Sequence, residues 1–365
     1  MDVKQFCSLQ IFELVYLLVL AFLPFVVAVR EVTIAILTVL AIGTAVVVIR
    51  YLLLRRVDPE GRVVFISGCD SGFGNACARR LDLHGYTVIA GCLNAGSEGA
   101  ALLQASTTGR MHVVSLDVTD EDSVFQCMAK VKEFCQNKGL WAIINNAGIA
   151  SFGDIEFTSM EKYRQVLEVN LLGSIQLTKL CLPYVRKAKG RVINMSGASG
   201  LLSAPGQSAF CISCFAVEAF SDALRIEMQP FGVKVITIRP GNYLGATGIL
   251  NKSACGKVKT EFDQLKNSTD QEVLNAYGTK HLDTQLEQLS DLSKSTASSL
   301  VNVVTAMENA VTNLSSGSQY LVDGGSQLFD VSNILIKLRP FVPASWHDSL
   351  VSKNFRQGTT VQAVQ

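Results

Sequence analysis

The chain has 365 residues, 32 basic and 31 acidic side chains and a net charge of +1. This balance lacks the basic excess of a nucleic-acid-binding protein, so no nucleic-acid partner is expected. Hydrophobic residues make up 48 % of the chain and the mean hydropathy is +0.30, which is high for a soluble domain and indicates a membrane segment. The ten cysteines and four histidines are scattered, which predicts no metal site and reduced thiols.

Two apolar runs, residues 14–29 and 32–49, stand near the N-terminus and are separated by Arg30 and Glu31. Each has roughly 17 residues, the lower limit for crossing a hydrocarbon core of about 30 Å. They predict an N-terminal transmembrane helical hairpin within residues 1–57. One spanning helix preceded by an interfacial helix is the alternative. Basic residues follow the second run, and they place the next domain on the cytosolic side by the positive-inside rule.

After a turn at 58–61, apolar strand-like runs alternate with helix-like runs. The predicted strands are 62–67, 86–90, 111–117, 141–145, 191–195, 232–239 and a short final run at 318–322. Apolar strands that alternate with helices predict an α/β fold with a doubly wound parallel sheet covered on both faces. Within the predicted domain, residues 58–330, the polar stretch 245–295 favours helices and is interpreted as a lid-like insertion. Residues 331–365 form an apolar and then polar tail that covers a pocket or touches the membrane.

A glycine-rich loop follows the first strand and opens a helix. Glycines there let the backbone approach a pyrophosphate, and the helix N-terminus supplies N–H donors; a tight structural turn is the alternative. The cofactor-binding candidates of this loop are Gly68, Asp70, Ser71, Gly72, Phe73 and Gly74. The run 91–94 after the second strand has no Arg or Lys for a 2′-phosphate, which favours NAD over NADP. The usual acidic partner of the ribose is absent from that run as well.

Three further strand ends carry cofactor-binding candidates. Asp117 ends the third strand, where it could meet adenine or cap the following helix. The fourth strand ends in Asn145, Ala147 and Gly148, which would hold backbone against the cofactor or form an Asn-Gly type of turn. The sixth strand is closed by Pro240 and Gly241.

Four stretches together resemble the short-chain dehydrogenase/reductases: Ser67–Gly74, Asn145–Gly148, the segment around Asn170, and Arg239–Asn242. The resemblance covers residues 60–325 and is strongest to the branch of D-β-hydroxybutyrate, 17β-hydroxysteroid and retinol dehydrogenases; an arthropod steroidogenic member also fits. It implies a Rossmann-type sheet of order 3-2-1-4-5-6 with a seventh strand. It also implies NAD-dependent interconversion of a lipophilic secondary alcohol and a ketone, such as a steroid, sterol or retinoid.

The resemblance also implies which positions carry the chemistry. The family uses a Tyr as general acid/base, a Lys that lowers its pKa, a Ser that polarises the substrate oxygen, and an Asn in a water-linked relay. Asn170 matches the Asn, whereas Gly197, Phe210 and Cys214 stand at the Ser, Tyr and Lys positions. Two hypotheses follow: an oxidoreductase with a non-standard proton relay, or a pseudoenzyme that binds NAD, a lipid or a partner protein.

The expected partners are a lipophilic small molecule and a membrane, with a second copy of the chain as a further candidate. The apolar N-terminus and the layout of the steroid and retinoid members lead to this expectation. The endoplasmic reticulum, with a cytosolic domain, is the expected location, and a mitochondrial membrane is the alternative.

Overall fold

A computed structural model describes residues 3–53, 55–135, 138–250, 252–278, 280–325 and 330–355. The chain divides into two compact units. One unit comprises Met1–Arg56 with Asn313–Ser315, and the other comprises Val57–Thr312 with Ser316–Gln365. The tail after residue 330 therefore belongs to the larger unit. The predicted domain boundaries at 57 and 330 stay predictions.

The N-terminal unit is built on one helix, α1 (Val3–Leu53). Its apolar part, Ile11–Ile49, is long and apolar enough to cross a membrane. The predicted hairpin with a turn between the two runs is wrong, because α1 continues through Arg30 and Glu31. Both residues are good helix formers, and no glycine or proline stands beside them to end the helix. An apolar helix of this length is about 58 Å long, roughly twice the hydrocarbon core, so either half can span.

The larger unit contains a parallel sheet of order β3-β2-β1-β4-β5-β6-β7. Its strands in the described residues are β1 (Val63–Ser67), β2 (Thr87–Cys92), β3 (Met111–Ser115), β4 (Ala142–Asn145), β5 (Arg191–Met195), β6 (Lys234–Pro240) and β7 (Gln319–Val322). The doubly wound α/β fold and the seventh strand are thereby confirmed. The carboxyl ends of β1 and β4 are neighbours, and the order of the strands reverses between them, which is where such sheets bind ligands.

Helices cover both faces of this sheet. The described helices after α1 are α2 (Gly72–Leu83), α3 (Glu98–Ala105), α4 (Glu121–Cys135), α5 (Met160–Leu167), α6 (Gly173–Ala188), α7 (Ser208–Met228), α8 (Lys252–Ser268), α9 (Gln271–Tyr277), α10 (His281–Lys294), α11 (Val301–Thr312), α12 (Val331–Leu338) and α13 (Ala344–Phe355). Val64 and Ile66 of β1 pack in the core on the face of α11, with Met307. Phe65 points to the other face, into the core that contains Leu177 of α6. Every side chain of β1 is therefore buried, which explains its unbroken apolar sequence.

The segment 245–295 folds into α8, α9 and α10. Phe262 of α8 and Leu282 and Leu289 of α10 form an apolar cluster with Phe152 and Phe157, which follow β4. The helices predicted for this polar stretch are therefore present, and they are fixed to the loop after β4 by buried apolar side chains. A lid function for them is a proposal.

Candidate active site

The glycine loop between β1 and α2 has the backbone conformation that glycine favours. Gly68 and Gly72 have φ angles of +71° and +61°, in the left-handed region. A Cβ at Gly74 would lie 2.6 Å from the Asn146 amide nitrogen, so a larger residue would displace the loop. Ser71 precedes α2, and its side chain makes no capping hydrogen bond. The loop and the α2 N-terminus therefore fit a dinucleotide pyrophosphate, which would take up the N–H groups at the start of the helix.

Asn146 joins the ends of β1 and β4, a role that the sequence analysis missed. Its side-chain amide donates to the carbonyl oxygens of Ser67 (3.0 Å) and Gly68 (2.9 Å). The Ser67 hydroxyl in turn accepts from the backbone N–H groups of Asn146 (3.0 Å) and Ala147 (3.1 Å). These bonds hold the glycine loop against Ala147, so the loop and the Asn-Asn-Ala-Gly segment form one surface. The two adjacent asparagines of the motif were the available signal.

The Asp70 carboxylate lies at the end of β2 and not only in the glycine loop. Its oxygens accept the backbone N–H groups of Leu93 (2.8 Å) and Asn94 (3.0 Å). Asn75 adds a second link, since its amide donates to the carbonyl oxygens of Cys69 (3.0 Å) and Gly99 (3.1 Å). An acidic group thus stands where the adenosine ribose binds in this fold.

Two predicted cofactor-binding residues use their side chains inside the protein. The Asp117 carboxylate accepts the N–H (2.9 Å) and the hydroxyl (2.7 Å) of Thr119, so it forms the turn before α4. The buried amide of Asn145 donates to Thr178 (2.8 Å) and to Asn194 (2.8 Å). Asn145 therefore ties β4 to α6 and β5 beneath the site. The role of these two residues in cofactor binding stays a prediction.

Asn170 lies in a π-helical segment, Glu168–Leu172, between α5 and α6. Its side-chain oxygen accepts the Ile149 N–H (2.8 Å), and its amide donates to the Ile149 carbonyl (2.9 Å) and to the Ser213 hydroxyl (2.9 Å). Ser213 donates to the Phe210 carbonyl (2.8 Å). Asn170 therefore connects the loop after β4 to the first turns of α7, where Phe210 and Cys214 stand. A Cβ at Gly148 would lie 3.5 Å from the Asn170 side-chain oxygen, so the loop after β4 runs close to Asn170.

Gly197 and Cys214 are neighbours in space. A Cβ at Gly197 would lie 3.6 Å from the Cys214 sulfur, an ordinary contact distance, so a serine would fit there. Burial raises the pKa of the Cys214 thiol, and Cys211 and Glu218 raise it further. Cys214 is therefore an uncharged thiol at neutral pH, unlike a lysine. The half-buried Phe210 ring has no proton to give.

Three hydroxyl groups near these positions bind backbone carbonyls. Ser196 donates to the Cys214 carbonyl (3.3 Å), and Ser213 is used as described above. Tyr243 donates to the Asp323 carbonyl (2.7 Å), and burial raises its pKa. None of these three donors points its proton at a reacting position.

The loop after β6 faces the glycine loop. The Tyr243 and Phe73 rings meet edge to face with centroids 5.4 Å apart. A Cβ at Gly72 would lie 3.6 Å from the Cβ of Thr247, and one at Gly241 would lie 2.7 Å from the Gly324 nitrogen. Pro240 and Gly241 thus direct the chain across the carboxyl ends of the strands, where it closes one side of the site.

A cavity of about 40 Å³ lies between the loop before α7 and the helices α8 and α10. Gln285 brings a polar atom to it: its side-chain oxygen is buried and accepts no hydrogen bond from the described residues. The lining residues are Gly153, Pro205, Gly206, Gln207, Phe262, Gln285, Gln288, Leu289 and Leu292. A hydroxyl group bound here could satisfy the Gln285 oxygen.

Comparison with known proteins decides the family. The sequence model "short chain dehydrogenase" matches residues 62–258. The mitochondrial D-β-hydroxybutyrate dehydrogenase of Bos taurus is 39 % identical over 261 residues, which is 70 % of this chain and 75 % of that protein. Retinol dehydrogenase 16 of Mus musculus is 41 % identical over 272 residues, 74 % of this chain and 83 % of that protein. The chain belongs to the short-chain dehydrogenase family.

A solved short-chain dehydrogenase from Burkholderia phymatum, in complex with NAD, shares the fold of this family member. The TM-score is 0.63 at 20 % identity, over 78 % of this chain and 95 % of that one. The predicted family is confirmed, and membership supports a nicotinamide cofactor, which the glycine loop fits. The apolar α1 supports association with a membrane. The individual site residues stay predictions.

Proposed function

We propose that this short-chain dehydrogenase transfers hydride between NAD(H) and a lipophilic secondary alcohol or ketone of the steroid, sterol or retinoid type. The observation that carries the proposal is the framework around the reacting positions. Asn170 binds both the loop after β4 and Ser213 of α7, and the glycine loop keeps its left-handed glycines. A nicotinamide cofactor supplies the hydride chemistry, and this chain's residues hold and orient the reactants.

The substrate class is inferred from the membrane anchor and from relatives that include a retinol dehydrogenase. The cavity of about 40 Å³ beside α8 and α10 is much smaller than a steroid or retinoid, so it does not define the substrate site. A membrane anchor keeps the protein where lipophilic alcohols are concentrated.

In this proposal the substrate proton is exchanged with water and not with a side chain. Phe210 has no acidic group, the Cys214 thiol is neutral, and the hydroxyls of Ser196, Ser213 and Tyr243 are bound to carbonyls. The loss of a positioned general acid reduces a rate by about 10²–10⁴. We therefore expect slow turnover compared with family members that keep the Tyr.

NAD is the preferred cofactor in this proposal. The Asp70 carboxylate stands at the end of β2, and the run 91–94 has no basic residue. A 2′-phosphate would meet a negative charge and no cation.

The first test is titration of the solubilised full chain with NAD(H), in which binding is measured by calorimetry and by NADH fluorescence. We expect saturable binding, and then slow NADH formation with lipophilic secondary alcohols. If NAD(H) does not bind, or if a broad panel of steroid, sterol and retinoid alcohols gives no NADH, the proposal fails.

The second test restores the family residues in a Gly197→Ser, Phe210→Tyr, Cys214→Lys variant. The Gly197 site has room for serine, and the variant regains the acid and its cation. We expect kcat to rise by about 10²-fold or more, while the NAD(H) affinity stays within a few-fold. A Phe215→Tyr variant, which adds a phenol to α7 outside the reacting positions, is the control and should not gain activity.

A pseudoenzyme is the second candidate, and the buried neutral thiol of Cys214 favours it. It predicts that the wild type binds NAD(H) and lipid without any turnover, while only the restored variant is active. Wild-type activity equal to that of the restored variant would exclude it.

A further inference from the structure

The last helices of the chain expose an apolar surface that the proposed reaction does not use. Phe341 is 83 % exposed and Trp346 is 68 % exposed. In both α12 and α13 the exposed apolar side chains are three or four residues apart, so each helix presents them on one side. The members of this C-terminal surface are Val331, Ile334, Leu338, Phe341, Trp346 and Leu350. Folded soluble proteins rarely expose so many large apolar side chains together.

Other side chains of the same two helices are packed and hydrogen-bonded. Leu335 of α12 and Val351 of α13 form a buried cluster with Leu202. The Arg339 guanidinium donates to the Leu201 carbonyl (2.7 Å), and a His347 ring nitrogen lies 3.2 Å from the Leu335 carbonyl. The exposed side chains are therefore presented by an ordered pair of helices, not by a loose tail.

We propose that this C-terminal surface lies on the membrane interface as a second contact besides α1. Trp and Phe are the side chains that settle at the boundary between headgroups and acyl chains. Exposed basic groups accompany them at Lys337 and Lys353, which suits anionic headgroups. Because α1 is long and apolar enough to cross a membrane, the chain is held near a bilayer, and no other partner is needed to cover this surface.

A cavity of about 330 Å³ lies between these helices and the segment after Gly197. Polar and apolar side chains share its lining, which is formed by Leu202, Ser203, Arg339, Val342, Ala344, His347, Asp348 and Val351. The membrane contact is argued from the exposed side chains and does not depend on this cavity.

The test uses the two tryptophans of the full chain, reconstituted in vesicles that contain brominated phosphatidylcholine. Trp141 is buried, and its indole N–H donates to the Val311 carbonyl (3.0 Å), so it reports the core. The emission of wild type minus that of a Trp346→Phe variant isolates Trp346. We expect bromine near the headgroup to quench this difference roughly two-fold more than bromine at the chain end.

A pair of glutamate variants separates the membrane contact from misfolding. Phe341→Glu should reduce the quenching of Trp346, whereas Phe125→Glu, on α4 and 77 % exposed in the wild type, should not. Unchanged Trp141 emission shows that the core is intact. Quenching of Trp346 by aqueous iodide but not by bromine would overturn the proposal. Protection from both quenchers would also overturn it, since a second copy or another protein would then cover the surface.

Discussion

Asp70 reaches the end of β2 from a different loop. Short-chain dehydrogenases that prefer NAD need an acceptor for the ribose hydroxyls near this strand end. In the run 91–94, no side chain before Asn94 offers such an acceptor. The Asp70 carboxylate lies against the backbone of this run instead. One side chain thus both fixes the loop and sets the local charge.

The variant Asp70→Asn tests this role. It keeps the size of the side chain and removes the charge that opposes a 2′-phosphate, and it leaves one of the two backbone N–H groups without its acceptor. We expect the affinity for NADP(H) relative to NAD(H) to rise about ten-fold, which is ~1.4 kcal/mol, as measured by paired titrations. Asp120→Asn, at an exposed position before α4, is the control and should leave the ratio unchanged. A parallel loss of both affinities would mean that Asp70 only supports the loop.

At the scale of residues, the sequence predicted positions better than contacts. The spacing of Gly197, Phe210 and Cys214 on the family pattern predicts the reacting positions, and the structure places Gly197 beside Cys214. The partners of Asn145, which are Thr178 and Asn194, are distant in sequence and become visible only in the folded chain. The motif therefore indicated an important segment, but not that this side chain points into the protein.

At the scale of elements, the helices of 245–295 are held by polar links to the segment after β4. A His281 ring nitrogen lies 2.8 Å from an Asp154 carboxylate oxygen, and both side chains are largely buried. The Lys162 ammonium lies 2.7 Å from a carboxylate oxygen of the half-exposed Glu261. Since loss of a buried link costs more than loss of an exposed one, the first pair should contribute more to holding these helices on the segment after β4.

We expect Asp154→Ala to loosen α8–α10 by about 1–3 kcal/mol. Limited proteolysis at the basic residues of 252–294 should accelerate several-fold, without a loss of the core signal of Trp141. Glu261→Gln is the matched control, with at most a small change. Equal proteolysis of both variants and the wild type would show that the apolar cluster alone holds these helices.

Helices and strands were predictable where a single pattern of hydrophobic residues dominated the segment. The unbroken apolar strands gave the parallel sheet, and the polar stretch 245–295 gave helices. The predicted break in α1 was wrong. The charges of Arg30 and Glu31 indicated a turn between two apolar runs, whereas the backbone of both residues favours helix.

At the scale of the whole molecule, α1 is longer than one membrane crossing. Arg30 and Glu31 divide it into two halves, and the cost of a charge at the centre of a bilayer favours a span that leaves them at the interface. The basic residues after the second half favour that half as the span. The endoplasmic reticulum as the location stays a prediction.

Lysine substitutions can identify the spanning half. Two lysines at Ile36 and Leu40 should each cost about 2.5–3.5 kcal/mol in the bilayer centre. We expect this variant to lose much of its resistance to alkaline extraction from membranes. The matched variant at Leu17 and Leu20 should remain in the pellet. Release of the second variant alone would place the span in the first half, against this prediction.

The π-helical segment Glu168–Leu172 interrupts the continuous helix formed by α5 and α6, and we expect it to open more readily than either of them. Its hydrogen bonds skip one residue more than those of the flanking turns, and the Ser174 hydroxyl also donates to the Asn170 carbonyl (2.9 Å). Such turns are less stable than the α-helix around them, so local opening should begin there. Backbone amides from Val169 to Leu172 should exchange with deuterium before those of either neighbouring helix. Bound NAD(H) should slow that exchange, because Asn170 connects the loop after β4 to α7.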